Sequence, residues 1–318
     1  MKPRAIYYTL LQYQPANREL VDRVFEVTEL DDPRGDTDES LKAVEVLFAP
    51  LGFRVDAAKM KRCPQLRAVI SNTTSIPHIA ESFARQRGVH ICALHNEQEF
   101  LENITPTAEH TVGLLFSLWR KIPAAHKEVL GGAWNRRPWG APRMLSRMRM
   151  GIVGLGRIGR KVAAIAEATG MTVRFYDPGK PGGTDSLEEL AVDSDVLSLH
   201  APGTSDNRGL VSKNILQKLP AGALVINTAR GELLDTSALL DLLESGHLWG
   251  AALDTIDGEY EPEFSIETCE ARLLDYAREH DNLILTPHIG GSTTDAWFET
   301  ERHVIRKACR VLNIKLDA

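Results

Sequence analysis

The stretch Met150-Gly151-Ile152-Val153-Gly154-Leu155-Gly156-Arg157-Ile158-Gly159 constrains the fold more than any other. A short apolar run ends in Gly154-x-Gly156-x-x-Gly159, and residues 160–169 continue with helical spacing. Strand, tight glycine turn and helix start, in that order, make a dinucleotide-binding unit. Gly154 lets the turn bend, and Gly156 lets backbone approach a pyrophosphate. Gly159 lets the helix pack close to the strand, so that unpaired N–H groups at its first turn face the anion. Glycine-rich turns are common, so the pattern alone is weak. A second signal supports it. Residues 171–176 read as the next strand and end in Asp177, about 20 residues beyond the glycines, where a carboxylate binds the adenosine ribose hydroxyls. An Asp that merely closes a strand is the plainer alternative.

At 318 residues the chain has room for two ordinary domains, each with its own core. Apolar residues make up 43% and charged residues 25%, as in globular proteins. A net charge of −6 gives no reason to expect nucleic acid or an anionic membrane surface. Cys63, Cys92, Cys269 and Cys309 are scattered with no C-x-x-C, which fits a reducing cytosol better than disulfides or a zinc site. The apolar run near the N-terminus is too short for a signal peptide, and no apolar stretch approaches the roughly 20 residues of a membrane helix. The expectation is a soluble, cytoplasmic protein with no metal.

Residues 1–100 alternate short β-branched runs (5–11, 24–27, 44–48, 67–71, 89–93) with polar helical candidates (17–21, 38–42, 56–61, 78–87). That alternation predicts parallel βαβ units in a doubly wound sheet. One strand runs into Asn72-Thr73-Thr74-Ser75, a surface turn on local sequence alone. Thr105-Pro106 should cap and open a long helix, with Pro123 bending or ending it. Residues 131–149, rich in Trp, Pro and Arg, read as a solvated linker. Further βα units follow the glycine turn. Strands are expected at 195–199, 223–228, 250–253 and 283–286, and helices at 210–219, 236–244 and 294–312.

Polar residues gather just after these strands. His200 follows one, Arg230 another, Asp254 and Glu259 a third, and His288 a fourth. All should meet at the strand ends where a dinucleotide lies. A nicotinamide enzyme acting on a 2-hydroxy acid needs a cation for the carboxylate and carbonyl, preferably a guanidinium. It also needs a group titrating near neutrality, which favours His, and a carboxylate to fix that His. Arg230, His288 and Glu259 supply one of each. Singly, each has a plainer reading: a surface-pair arginine, a turn histidine, a solvated acidic run.

These residues also carry a family resemblance. Gly151–Gly159, Leu199-His200-Ala201-Pro202, Ile226-Asn227-Thr228-Ala229-Arg230-Gly231 and Thr286-Pro287-His288-Ile289-Gly290-Gly291 stand in family order. From about 105 to 294 the sequence resembles the D-isomer-specific 2-hydroxyacid dehydrogenases, which include phosphoglycerate, glyoxylate and hydroxypyruvate reductases. The resemblance implies an α/β fold of two doubly wound parallel-sheet domains. A Rossmann NAD-binding domain (105–292) would be inserted into a flavodoxin-like substrate domain (1–104 plus 293–318), with hinges near 103–106 and 291–294. Arg230 would bind the substrate carboxylate and carbonyl, with His288 the acid/base and Glu259 its partner. Asp254 would hold the nicotinamide carboxamide. Arg157 and Ile158 would flank the pyrophosphate, and His200, Ala201, Pro202, Thr228, Ala229 and Gly290 would line the nicotinamide half. Thr73, Thr74 and Ser75 would offer backbone N–H groups to the substrate carboxylate. The resemblance also implies NAD as cofactor, a small D-2-hydroxy or 2-keto acid as substrate, and a homodimer formed through the helix near 106–119.

Two departures stand out. Ser75 occupies a position where the family usually has Gly, and the usual Asp near Pro77-His78-Ile79-Ala80 is missing, which leaves the substrate open. The interval between Glu259 and His288 is also long, and residues 264–281 read as an acidic helix decorating the surface. Two other readings remain: a non-catalytic NAD(H)-responsive scaffold, and a dehydrogenase of an unusual anion such as phosphite.

Overall fold

The computed structural model describes residues 1–140, 142–261 and 263–316. Asp317 and Ala318, at the end of the expected substrate-domain return, and Ala141, in the stretch expected to be a linker, lie outside the described residues. The chain divides into two compact units. One comprises Met1–Ile104, Tyr260–Pro262 and Thr293–Ala318; the other comprises Thr105–Glu259 and Glu263–Ser292.

In the first unit, β1 (Arg4–Tyr8), β2 (Glu26–Leu30), β3 (Val46–Phe48), β4 (Ala68–Ile70) and β5 (His90–Cys92) form a parallel sheet in the order β2-β1-β3-β4-β5. Between them run α1 (Pro15–Val24), α2 (Asp38–Ala43), α3 (Ala57–Arg62) and α4 (Glu81–Gln86), and α5 (Gln98–Leu101) follows. Successive strand residues point to opposite faces, and in the inner strands both faces are apolar because both are covered, whereas the edge strand β2 carries exposed Glu26, Thr28 and Glu29. Tyr7, Val46, Phe48 and Ile70 pack with Leu20 and Val24 of α1. Ile6, Tyr8, Leu47 and Val69 pack with Leu41 and Met60. Residues 9–11 do not extend β1: Gln12, at φ 47°, returns its N–H to the Thr9 carbonyl at 3.0 Å and winds them into a 3-10 turn. The strand expected at 24–27 starts only at Glu26, because Val24 closes α1.

In the second unit, β6 (Arg149–Val153), β7 (Thr172–Tyr176), β8 (Val196–Leu199), β9 (Ala223–Asn227), β10 (Leu248–Leu253) and β11 (Leu283–Leu285) are all parallel, in the order β11-β10-β9-β8-β6-β7. Its helices are α6 (Pro106–Trp119), α7 (Ile122–Leu130), α8 (Arg157–Ala168), α9 (Leu187–Val192), α10 (Lys213–Lys218), α11 (Thr236–Glu244), α12 (Ile266–Cys269) and α13 (Ala271–Glu279). Met150, Ile152, Leu224 and Ile226 pack against Leu115 and Leu118 of α6 and Val162 of α8. Val153, Leu197, Val225 and Leu253 pack against Leu190, Leu216, Leu239 and Leu273 of the opposite layer. The last helix, α14 (Thr294–Val311), returns to the first unit, where Val304, Ile305 and Ala308 join the core beside α1.

Several local expectations need correction. Thr105 stands at the N-cap position of α6 as expected, but its hydroxyl donates to Glu109 rather than accepting a backbone N–H. Pro123 does not bend α6, which has already stopped at Trp119; Lys121 turns left-handed at φ 51°, and Pro123 sits in the first turn of α7. The helix expected from residue 210 begins at Lys213, because Val211 is drawn into a parallel bridge with Leu234. The acidic insertion is two helices, and it is not surface decoration. Leu273 and Tyr276 of α13 are buried in the sheet-covering layer. Nor are the arginines of the 131–149 stretch all left to solvent: Arg143 and Arg149 reach Asp195 at 3.2 and 3.0 Å.

One polar cluster in the first unit is sealed from water. Lys59 Nζ lies 2.6 Å from Asp36 Oδ2, with side-chain exposures of 11% and 6%. The Tyr8 hydroxyl donates to Asp36 Oδ1 at 2.7 Å and accepts from Lys59 Nζ at 3.1 Å. Burial, then the acceptor beside it, raises the Tyr8 phenol above its usual range. Breaking a buried pair by removing one partner typically costs about 3–5 kcal/mol, because a charge is left uncompensated, whereas removing both costs less. Urea unfolding of Lys59→Met should therefore show a loss of that order, and Lys59→Met/Asp36→Leu a smaller one. Equal losses would mean that packing, not charge pairing, holds the cluster.

Candidate active site

The glycine turn is built as its spacing requires. Gly154 takes φ 91°, in the left-handed region, and a Cβ there would lie 2.8 Å from the Ala201 nitrogen. A Cβ on Gly159 would lie 2.2 Å from the Gly154 carbonyl oxygen, so only glycine lets α8 pack this close. Gly156 is the N-cap of α8, opens on space, and is followed by a first turn without acidic residues. Arg157 and Ile158 are the first two residues of that helix. A positive helix end with no carboxylate in its first turn suits a pyrophosphate. Asp177 faces this turn: its Oδ2 accepts the Leu155 N–H at 2.8 Å and its Oδ1 the Gly179 N–H at 2.9 Å. These features fit a dinucleotide.

The turn after β8 backs onto the glycines. The His200 N–H bonds the Val153 carbonyl at 2.8 Å, and Ala201 is buried against Gly154, with Pro202 next in the turn. Ser198, inside β8 and fully buried, sits 2.8 Å from His200 Nε2. Burial pushes the His200 imidazole down to about 3, so this ring is neutral at physiological pH.

Arg230 lies in the turn after β9. Asn227, also fully buried, brackets that turn: its Oδ1 accepts the Ala229 N–H at 3.0 Å and its Nδ2 donates to the Arg230 carbonyl at 2.8 Å. The Arg230 guanidinium bonds the Ala229 carbonyl at 2.6 Å. Thr228, buried, pairs its hydroxyl with Thr111 of α6 at 2.7 Å.

Glu259 and His288 come from the turns after the neighbouring strands β10 and β11. Glu259 Oε1 accepts from His288 Nδ1 at 2.6 Å, with both side chains partly buried. His288 holds φ 51°, a left-handed conformation costly for a residue with a Cβ. The next two N–H groups, of Ile289 and Gly290, donate to Asp254 at 2.9 and 2.8 Å. Thr286 Oγ1 donates to the same carboxylate at 2.6 Å. The side chain of Asp254 is 1% exposed.

The strand ends of the second unit thus bring together the glycine turn, Asp177, His200 to Pro202, Thr228 to Arg230, Asp254, Glu259, His288 and Gly290. Thr73, Thr74 and Ser75 lie in the first unit, in the loop after β4. There the Thr73 hydroxyl pairs with Ser71 at 3.0 Å, and Ser71 contacts His78 Nε2 at 3.3 Å. Sequence reading misses Ser198, Asn227, Thr286 and His110. Each is an ordinary polar residue whose importance comes from the group it meets in space.

The family model described as "D-isomer specific 2-hydroxyacid dehydrogenase, NAD binding domain" matches residues 112–290. A D-3-phosphoglycerate dehydrogenase of Bacillus subtilis is 34% identical over 269 residues, 82% of this chain and 48% of that protein. A glycerate dehydrogenase of Methylorubrum extorquens is 31% identical over 264 residues, 81% of this chain and 79% of that one. This chain therefore spans about half the length of the Bacillus relative. Among solved structures, a protein of Thermus thermophilus superposes with a TM-score of 0.82 at 29% identity, covering 98% of this chain and 97% of that one.

The His200 environment makes stability depend on pH with a definite sign. Its folded-state value of about 3 lies below the usual 6.5, so its contribution is full above pH 6.5 and is lost as pH falls toward 3. The stability gap between the protein and His200→Gln should narrow on going from pH 7.5 to pH 5 in urea titrations. A gap that stays constant would mean the ring is solvated.

Proposed function

This chain belongs to the D-isomer-specific 2-hydroxyacid dehydrogenase family, and from that premise we propose that it transfers a hydride between NAD and a small D-2-hydroxy acid or its 2-keto acid. The observation that carries the reading is the 2.6 Å contact between His288 Nδ1 and Glu259 Oε1, at the same strand ends as Arg230 and the glycine turn. The second unit is the cofactor-binding domain and the first the substrate domain. Gly154, Gly156, Arg157, Ile158 and Gly159 hold the pyrophosphate. Asp177 takes the ribose hydroxyls and repels a 2′-phosphate, which favours NAD over NADP. The backbone around His200, Ala201, Pro202, Thr228, Ala229 and Gly290 lines the nicotinamide half.

When bound, the nicotinamide supplies or accepts the hydride. Arg230 pairs with the substrate carboxylate through its planar fork and stabilises charge on the carbonyl oxygen during reduction. His288 gives its proton to that oxygen in reduction and takes it back in oxidation. Glu259 fixes the tautomer by accepting from Nδ1 and stabilises the imidazolium. Thr73, Thr74 and Ser75, in the first unit, are the residues that the family resemblance assigns to substrate binding there. No helix among the described residues is long and apolar enough to cross a membrane. Cys63, Cys92, Cys269 and Cys309 are free thiols, which suits a cytoplasmic location. Phe116, Ile122, Val129 and Leu130 leave an apolar strip exposed on α6 and α7, and a homodimer would cover it.

A panel of glyoxylate, hydroxypyruvate, phosphohydroxypyruvate and branched-chain keto acids with NADH should yield one fast substrate, with NADPH slower. His288→Asn should lower kcat by roughly 10²–10⁴-fold, the usual span of a general acid/base contribution, and leave NADH binding nearly intact. Silence across the panel with NADH still bound would turn attention to a scaffold role or an anion such as phosphite. Arg230→Lys should chiefly raise KM for the keto acid, because the bidentate fork is lost. An unchanged KM would remove Arg230 from the carboxylate site.

A further inference from the structure

The strained turn that carries His288 has its own anchor, and the anchor reaches back to α6. Asp254 accepts from Thr286 Oγ1 and the Ile289 N–H on Oδ1, and from the Gly290 N–H on Oδ2. These donors flank His288 on both sides in sequence. A Cβ on Gly290 would stand 2.7 Å from Asp254 Oδ2, so the approach is as close as backbone allows. The His110 imidazole closes the group: its Nε2 lies 3.1 Å from Thr286 Oγ1 and 3.3 Å from Asp254 Oδ1. Because the Thr286 hydrogen is directed at Asp254, the Thr286 oxygen can only accept here, and His110 Nε2 must be the donor. A carboxylate offers about four lone-pair sites; Thr286 and Ile289 take the two of Oδ1, and Gly290 takes one of Oδ2. Asp254 is therefore engaged with the protein itself, beyond the carboxamide contact that the family resemblance implies.

Thr111, the next residue on α6, holds Thr228 beside Arg230 through the 2.7 Å hydroxyl pair. Two consecutive residues of one helix thus grip the ends of β9, β10 and β11, from which Arg230, Glu259 and His288 project.

We infer that His110 is a positioning residue: its Nε2–H orients Thr286 and Asp254, which hold the His288 turn so that Nδ1 meets Glu259. This rests on reading His288 as the acid/base. It assigns no proton transfer to His110. Losing the donor leaves Thr286 and Asp254 less constrained, and the left-handed turn at His288 loses part of what offsets its strain. The defect should fall on proton exchange and not on binding.

The test compares His110→Leu, His110→Gln and Thr286→Val in the full chain. His110→Leu should lower kcat about 10–100-fold, the usual cost of losing an outer-shell orienting partner, with melting nearly unchanged. KM and the NADH dissociation constant should stay close to the parental values. His110→Gln, whose amide keeps an N–H donor, should recover most of kcat. Thr286→Val should resemble His110→Leu, and the double variant should be no worse than the poorer single, as expected for one shared network. The readout that does not depend on turnover is the downfield Nδ1–H resonance of His288 in the proton NMR spectrum. It should be present in the parent and in His110→Gln, and lost or shifted upfield in His110→Leu. Parental kcat and an unchanged resonance in His110→Leu would overturn the assignment. So would equal losses in His110→Leu and His110→Gln. If the parent reduces no keto acid, the proposed function fails, and the resonance alone decides whether His110 positions the turn.

Discussion

Covering a parallel sheet on both faces leaves its inner strands little place for polar side chains except near their ends. In the second unit the six strands run the same way, so the turns that follow them share one edge. Within β8 and β9 the buried polar side chains Ser198 and Asn227 are each spent on the turn just beyond, one on His200 and one on the backbone of Arg230. A constraint of folding thereby collects a cation, an imidazole, carboxylates and an anion-seeking helix end without any one turn being long.

Burial sets the character of the two histidines at this edge differently. His200 meets the Ser198 hydroxyl rather than a carboxylate, and burial of its ring keeps it neutral. His288 has Glu259 on Nδ1 and is only partly sealed.

The glycine turn is readable because its chemistry is local: backbone conformation and the lack of a Cβ act within ten residues. The strands of the second unit are readable because continuous apolar runs between turn residues have few other uses. Arg230, Glu259 and His288 are legible as a set, from their place after successive strands and from the blocks around them. What stays hidden depends on partners distant in sequence. His110 lies 176 residues from Thr286, and nothing in a helix beginning Thr105-Pro106 announces that contact. The boundary errors have the same origin. Val211 is lost to a helix because Leu234 claims it, and the acidic insertion becomes core because Leu273 finds the sheet.

The insertion between Glu259 and His288 also separates two properties usually bound together, sequence distance and spatial precision. Glu259 hangs from β10 and His288 from β11, and these strands are locked side by side in register from Ala251 to Leu253. The chain between them leaves one strand end and comes back to the foot of the next, and its length enters the geometry of the pair only through the slow logarithmic growth of loop entropy. Within that interval α13 is held to the sheet by Leu273 and Tyr276, so added length falls on the chain before it while the carboxylate and imidazole keep their spacing. Variation in size is confined to where it does not touch the chemistry.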